Sequence, residues 1–416
     1  MRSLLAKAAA SVQPAKLAAM LAVWVVTLLY VLFQGGKNSV MLFTMATILI
    51  LYLLTGGLLG VRRAKGVRTL LSAGDSPEPL AAGGYLQVRL RLNVPGILPL
   101  PYLVVREMLK KHNGESWKFE DSLIPDYRGR SELRFQTPPL ERGIYTFQAT
   151  EIGSIDVFGL VEHKGSFLAE GRFRVLPRTV YLPRWNLYER SSRRSGLQTS
   201  LAQSRRESVQ INGVRDYVYG DRLSRIHWNA TARTGAWKSK EFEHESVPRT
   251  MVVLDGTARV YSNSAQFELA VSAAASLLGF GLRERIGVGL CAIDREIRFF
   301  APAEGAADRR HMTHALIDLN AEGSGRLLEK LEKSKQLFPR GCHFVFVSPQ
   351  SGGAALEVLR WAENRGMMPV HLHVRNPASP GRYAEWAGTL DSCGMAGYSV
   401  AALEELPAAL EGREAR

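Results

Sequence analysis

Hydrophobic and polar positions along the chain fall into three successive rhythms. The first is a pair of uncharged apolar runs, Leu17 to Phe33 and Val40 to Gly60. Each approaches the roughly 20 residues a helix needs to cross about 30 Å of hydrocarbon, so the pattern predicts a transmembrane helical hairpin over residues 17–60. The second rhythm has period two. Leu86 to Leu92, Tyr102 to Met108, Trp117 to Leu123 and Glu132 to Gln136 alternate apolar with polar residues, and Arg142 to Phe147 and Phe173 to Leu182 continue the series. Such runs, punctuated by Gly and Pro, are half-buried antiparallel strands, and they predict a small all-β sandwich-like domain over residues 84–183. In the third rhythm continuous apolar runs alternate with helical spacing. Met251 to Leu254, Ile286 to Ile293, Ile297 to Phe300, His343 to Val347, Val370 to Val374 and Tyr398 to Ala401 read as strands. Helices are expected at Phe267 to Leu282, Arg309 to Leu319, Arg326 to Leu337 and Ala354 to Asn364, and the tight turn Asp294-Arg295-Glu296 makes one edge strand antiparallel. The expected result is an α/β doubly wound domain over residues 250–403, followed by a tail over residues 404–416.

Charge adds orientation. The chain of 416 residues has 53 Lys+Arg against 39 Asp+Glu, a formal charge of +14 that would serve nucleic acid, anionic lipid or an acidic protein. Arg2, Lys7 and Lys16 lie in the N-terminal segment 1–16, Lys37 alone occupies the loop between the spans, and Arg62, Arg63, Lys65 and Arg68 follow them. By the positive-inside rule both ends of the hairpin face the cytoplasm of a bacterial inner membrane, and residues 61–83 form a basic juxtamembrane linker facing anionic lipid. A second basic, Ser-rich linker spans residues 184–213; it has few aromatics, which argues against nucleic-acid binding and leaves membrane lipids or an acidic partner. The widely spaced Cys291, Cys342 and Cys393 read as reduced, mostly buried thiols of a cytosolic domain.

Between the two soluble domains lies the densest stretch, residues 214–246, in which Arg215, Asp216, Asp221, Arg222, Arg225 and Arg233 are threaded with Tyr217, Tyr219, Ile226, Trp228, Trp237 and Phe242. Mixed charge beside large aromatics predicts organised guanidinium–carboxylate pairs within a folded segment. On that reading Arg233 sits in a buried pair, and Trp228 and Trp237 are packing anchors. The stretch resembles the signature of a bacterial family known as domain of unknown function 58. The resemblance rests on Arg215-Asp216-Tyr217, Gly220-Asp221, Arg225, Ile226 and Trp228, Ala232-Arg233-Thr234-Gly235 and Glu241-Phe242-Glu243, with Asp156-Val157-Phe158-Gly159-Leu160 similar to a turn of the same family.

The resemblance implies that the last domain is von Willebrand factor type A-like. In that fold an Asp-x-Ser-x-Ser loop, a Thr and a later Asp hold Mg²⁺; the matching positions here are Asp255 and Thr257, Ser324, and Ser348. Arg259 replaces the second hydroxyl and Ser348 the later carboxylate, so no metal or other cofactor is expected, and Arg259 is expected to pair with Asp255. The resemblance further implies a MoxR-type AAA+ ATPase or a transglutaminase-like membrane protein as partner. The function expected is therefore a non-enzymatic inner-membrane scaffold or assembly protein, with Arg215, Asp221, Trp228, Arg233 and Glu241 clamping its soluble domains. The alternative is a membrane-bound hydrolase or peptidase built from Ser224, Asp221, His227, Glu241 and His244, although no nucleophile elbow, paired-His spacing or phosphate loop accompanies them. His371 and His373 share one face of a strand, with no third metal ligand evident.

Overall fold

A computed structural model describes residues 14–59, 61–72, 80–95, 102–155, 162–188, 211–219, 221, 223–242, 249–376 and 383–412. Most of the first sixteen residues, the turn at 156–160, most of the second basic run, Gly220, Glu243 and His244 lie outside them. The chain divides into two compact units, residues 1–176 and 177–416.

The first unit begins with two helices, Pro14–Gln34 and Lys37–Leu59. Gly35 and Gly36 join them with φ of 59° and 93°, values that a side chain would resist. The helices pack against each other: the Trp24 indole donates to Thr47 Oγ1 at 3.1 Å, and its ring lies 5.6 Å from that of Phe43. Their outer faces carry exposed Leu21, Val26, Leu32, Met45, Ile48 and Leu51. Among the described residues their apolar stretches are Ala18–Gln34 and Lys37–Leu53, and the one helix that meets both length and apolarity for a full span is Ser264–Arg283, which is buried within the second unit.

Beyond the helices, the predicted alternation does form strands, and two sheets face each other. One has the order β1 (Lys65–Ser72), β2 (Leu86–Asn93), β5 (Arg130–Gln136). The other runs β8 (Glu162–Phe167), β7 (Thr150–Ile155), β3 (Leu103–Lys111), β6 (Gly143–Phe147), β9 (Arg172–Val175), with β4 (Ser116–Leu123) also paired to β3. Leu90 and Leu92 from the first sheet pack with Leu103, Val105 and Ile152 from the second, and Leu86 and Val88 with Leu109, Tyr145 and Phe147. The period-two pattern placed these side chains on the inner faces.

One sequence expectation fails here. Within the basic juxtamembrane segment, Lys65–Ser72 form a strand, β1, paired along its whole length with β2. Arg68, expected at the lipid surface, is buried: its Nη2 lies 2.6 Å from Glu107 Oε2, its Nη1 donates to Ala169 O at 2.6 Å, and its guanidinium carbon lies 4.2 Å from the Phe147 ring centre. Thr150 Oγ1 donates to the other Glu107 oxygen at 2.7 Å. A buried arginine survives because Glu107 offsets its charge and both terminal nitrogens find acceptors within the sandwich.

The second unit is a six-stranded sheet with helices. Its order is β14 (Ile297–Ala303), β13 (Val288–Ile293), β12 (Thr250–Asp255), β15 (His343–Ser348), β16 (Met368–Val374), β17 (Ala396–Val400). All neighbours are parallel except β13 and β14, which form the expected antiparallel edge. The chain leaves β12 toward β13, then returns to β15 on the other side of β12, so the topology switches between β12 and β15. In doubly wound sheets ligand sites form at the carboxyl ends of strands at such a point. Every residue of β12, β13 and β15 is buried, which explains their unbroken apolar runs.

Two boundaries move. The segment assigned to the β-domain and its linker contributes Leu182, Trp185, Leu187 and Tyr188 to the core of the second unit. The last residues, expected as a tail, fold into the helix Leu406–Glu411, whose Leu406 and Leu410 join the same core. A helix Tyr383–Ser392, which the sequence reading left out, buries Trp386 and Leu390. Cys291 and Cys342 are buried and Cys393 partly so, all as free thiols. Burial pushes the first two thiols up, Cys291 to about 12 and Cys342 to about 11.

Candidate functional site

At the carboxyl ends of β12 and β15 the structure gathers the degenerate metal-site positions. Asp255 ends β12 and is fully buried. One of its carboxylate oxygens accepts from the Thr257 backbone N–H at 3.0 Å; the other accepts from Ser348 Oγ at 2.9 Å and from the Gln350 side-chain amide at 2.8 Å. Burial raises the Asp255 pKa, and the Thr257, Ser348 and Gln350 hydrogen bonds counter that rise. The Tyr261 hydroxyl donates to the Asp255 backbone carbonyl. Arg259 does not pair with this carboxylate: it lies exposed on the short turn Ala258–Val260, and neutral donors fill the coordination that the sequence reading gave to it. The reason is burial, since an amide and a hydroxyl enter a closed site at far lower desolvation cost than a guanidinium.

The loop carrying Ser324 abuts the Asp255 loop. Gly323 N–H donates to Gly256 O at 2.8 Å and Ala258 N–H to Gly323 O at 3.0 Å, while Ser324 itself is exposed. This approach depends on glycine: a Cβ at position 323 would lie 2.8 Å from Gly256 O and 3.0 Å from Asp294 O, both backbone atoms. Gly323→Val is therefore expected to part the two loops at a cost of about 1 to 3 kcal/mol. Amide exchange at Ala258 would then accelerate by roughly tenfold or more, and unchanged exchange would refute the contact.

On the next strand, His373 makes a hydrogen bond through Nε2 with Pro349 O at 3.1 Å and stacks on Tyr383. His371 is buried, and its Nδ1 accepts from the Trp386 indole at 2.8 Å. Each therefore has one ring nitrogen held by a neighbour. Gln350 and Tyr261 were missed in the sequence. Gln350 stands two residues past β15, where a carboxylate was sought at Ser348 itself, and only the strand register shows that it reaches Asp255.

The signature segment folds on itself. β10 (Ile211–Asp216) pairs antiparallel with β11 (Lys238–Phe242), and between them lie a short turn Leu223–Arg225 and the helix Trp228–Thr234. Its motif residues have local tasks. Arg215 Nη2 donates to Asp221 Oδ1 at 2.8 Å, and Asp221 also accepts from Val218 N–H at 3.2 Å. The Arg215 hydrogen bond, then that from Val218, hold the Asp221 carboxyl below the usual range. Asp216 pairs with Lys238 at 2.5 Å on the surface, a pair of small energetic weight. Tyr217 packs edge-on against Trp237, with ring centres 5.4 Å apart. His227 caps the helix, its Nδ1 accepting from Ala230 N–H at 3.1 Å, and Gly235 ends the helix with φ 68°. Ile226 and Ser239 are buried and Arg225 is half-buried; Glu241 lies on β11.

Two expectations about this segment are corrected. Trp228 and Trp237 are 64% and 52% exposed, so they are not interior anchors. Ala232 and Arg233 are exposed as well, on the outer side of a helix of seven residues, too short to bury both faces. Of the residues named for the hydrolase, His227 accepts from a backbone N–H, Asp221 accepts from Arg215, Ser224 is exposed on its turn, and His244 lies outside the described residues.

The fold and site thus define an α/β module with a buried, hydrogen-bonded aspartate at its switch point, preceded in sequence by a basic and aromatic hairpin. Residues 213–378 match the family described as protein of unknown function DUF58. It is 27% identical over 293 residues to the uncharacterized protein YeaD of Bacillus subtilis (strain 168), an alignment covering 69% of this chain and 70% of that protein. Among solved structures it is similar to an aerotolerance-related membrane protein from Bacteroides fragilis (12% identity, TM-score 0.29, 40% of this chain and 98% of the other). A second is the conserved hypothetical protein BatB from Bacteroides thetaiotaomicron (13% identity, TM-score 0.28, 40% and 98%).

Proposed function

We propose that the chain is a non-enzymatic scaffold or assembly protein anchored in the bacterial inner membrane by two helices, with its second unit acting as a von Willebrand factor type A-like docking module. The outward apolar faces of Pro14–Gln34 and Lys37–Leu59 support anchoring, since helices of a water-soluble pair turn such faces inward. Arg62 and Arg63, directly after the second helix, support a cytoplasmic side for that end by the positive-inside rule. A central strand flanked by an antiparallel edge on one side and three parallel strands on the other supports the module assignment.

The observation that carries the reading is the Asp255 carboxylate, held by Thr257, Ser348 and Gln350. A Mg²⁺ site needs near-octahedral oxygen ligands with charge to spare, and this carboxylate is already taken by hydrogen-bond donors. Our reading of this edge is a metal-free protein contact whose partner is a MoxR-type AAA+ ATPase or a transglutaminase-like membrane protein. A photo-crosslinking residue at exposed Ser324, used in native membranes, is expected to capture one discrete protein of these classes, with capture reduced by Arg259→Glu on the adjoining turn. Failure to capture any protein, together with substrate turnover that disappears in His227→Ala, would instead favour the hydrolase.

A further inference from the structure

The signature hairpin presents an unusual surface for a soluble module. Tyr219 is fully exposed, and Leu223, Trp228, Val218, Trp237 and Val214 are between 43% and 65% exposed. Two of the acids among these residues are neutralised within the hairpin, Asp216 by Lys238 and Asp221 by Arg215. Arg233 is exposed and Lys240 half-buried, and residues 213–242 hold six Lys+Arg against three Asp+Glu.

We propose that the hairpin face bearing Tyr219, Leu223, Trp228 and Trp237 rests in the headgroup layer of an anionic membrane. Trp and Tyr favour that layer because each joins an apolar ring to a polar tip, while Arg and Lys are drawn to anionic headgroups. Exposed aliphatic Val218 and Leu223, close to Tyr219 in sequence, supply apolar surface able to enter the acyl boundary. An acidic protein would satisfy the charge, but a fully projecting tyrosine needs a pocket on such a partner, whereas a lipid surface accommodates any projecting ring. The inference rests on the anchoring reading above: a chain already held at the bilayer makes this contact at high effective concentration, so each residue need contribute little.

The test uses the full chain in nanodiscs of phosphatidylcholine, or of phosphatidylcholine and phosphatidylglycerol in equal parts. Cys393 is replaced by serine, since the other two thiols are buried, and an environment-sensitive dye is attached through Tyr219→Cys or, as a control on an exposed loop of the second unit, Ser351→Cys. Lipids with brominated chains are expected to quench the position-219 dye several-fold more in the phosphatidylglycerol discs, with loss of the effect at high salt or in Arg233→Glu/Lys240→Glu. The position-351 dye should be unaffected. On the unlabelled chain, amide exchange of residues 217–223 should slow in the same discs. A position-219 dye that stays unquenched in both lipids overturns the inference, and one shielded only by an added purified protein reassigns the face to that protein. Resistance to alkaline carbonate extraction reports anchoring separately: release by carbonate sinks the anchoring reading, while retention with a wet position 219 sinks this inference alone.

Discussion

Arg68→Met is expected to lower the melting temperature of the first unit by roughly 10 °C, because breaking a buried ion pair costs about 3 to 5 kcal/mol and a unit of this size loses about 2 to 4 °C per kcal/mol. The substitution keeps the aliphatic stem but leaves Glu107 buried with only the Thr150 hydroxyl as donor. Burial already pushes the Glu107 carboxyl up against the opposing pull of Thr150 and Arg68, and it lowers the Arg68 pKa against the pull of Glu107. Without arginine the carboxyl would take up a proton more readily, so the loss should shrink in acid. The double variant Arg68→Met/Glu107→Leu should recover most of the loss, since a well-packed apolar pair replaces an ion pair at little cost. Scanning calorimetry of the chain in nanodiscs decides it; a shift under about 2 °C for the single variant would mean the pair is solvated. Arg233→Ala, by contrast, should change stability by no more than about 0.5 kcal/mol, because that side chain is exposed.

The second unit should lose stability as the solution is acidified from pH 6.5 toward 4, the interval between the ordinary imidazole value and that of buried His343. His343 is 1% exposed, with no hydrogen-bond partner on either ring nitrogen and the Tyr188 ring packed edge-on at 5.5 Å; burial lowers its pKa to about 4. His371, fully buried, is lowered to about 3, by burial first and by His373 second, against a backbone hydrogen bond at Ser348. A group with a depressed folded-state pKa stabilises the fold above its unfolded value, and that stability drains away as pH falls toward the folded value. For His343 the shift from 6.5 to about 4 is worth about 3 kcal/mol at 1.36 kcal/mol per unit. Asp255 is shifted the other way, so its contribution is present in acid and lost as pH rises, which makes the net slope shallower. Denaturant titrations across this range should show His343→Phe removing about one proton of the pH slope. An unchanged slope would show that His343 is protonated in the folded state.

Legibility followed burial pattern. β12, β13 and β15 are buried on both faces and read as unbroken apolar runs, and β2 and β3 alternate cleanly because only one face is covered. β8, Glu162-His163-Lys164-Gly165-Ser166-Phe167, has no such signal: only His163 is buried, and the strand exists because β7 supplies its hydrogen bonds. β1 was masked differently. Its Lys65 and Arg68 follow an apolar helix, a setting in which basic residues read as lipid contacts, and nothing local reveals that Glu107 waits on another strand.

The candidate site shows the same division. Sequence placed Asp255, Thr257 and Ser348 at strand ends, and the structure brings them together with Ser324 in the adjoining loop. That Gln350, not Arg259, occupies the carboxylate depends on which side chain can enter a closed site without stranding a charge, a matter of burial that spacing does not encode. In the signature hairpin, the caps and turns at His227 and Gly235 are local and visible in the residues themselves. Which side its tryptophans face is not local, because aromatic rings among charges suit an interior brace and an outward contact equally well.

By itself, then, the sequence determined the three rhythms of this chain, the class of each region and the residues of its signature, because hydrophobic period and turn chemistry act over a few neighbours. Only the tertiary structure decided which charges are buried, what holds Asp255, and which aromatics are left exposed. Those outcomes depend on desolvation by residues as distant in sequence as Arg68 is from Glu107 and Asp255 from Gln350.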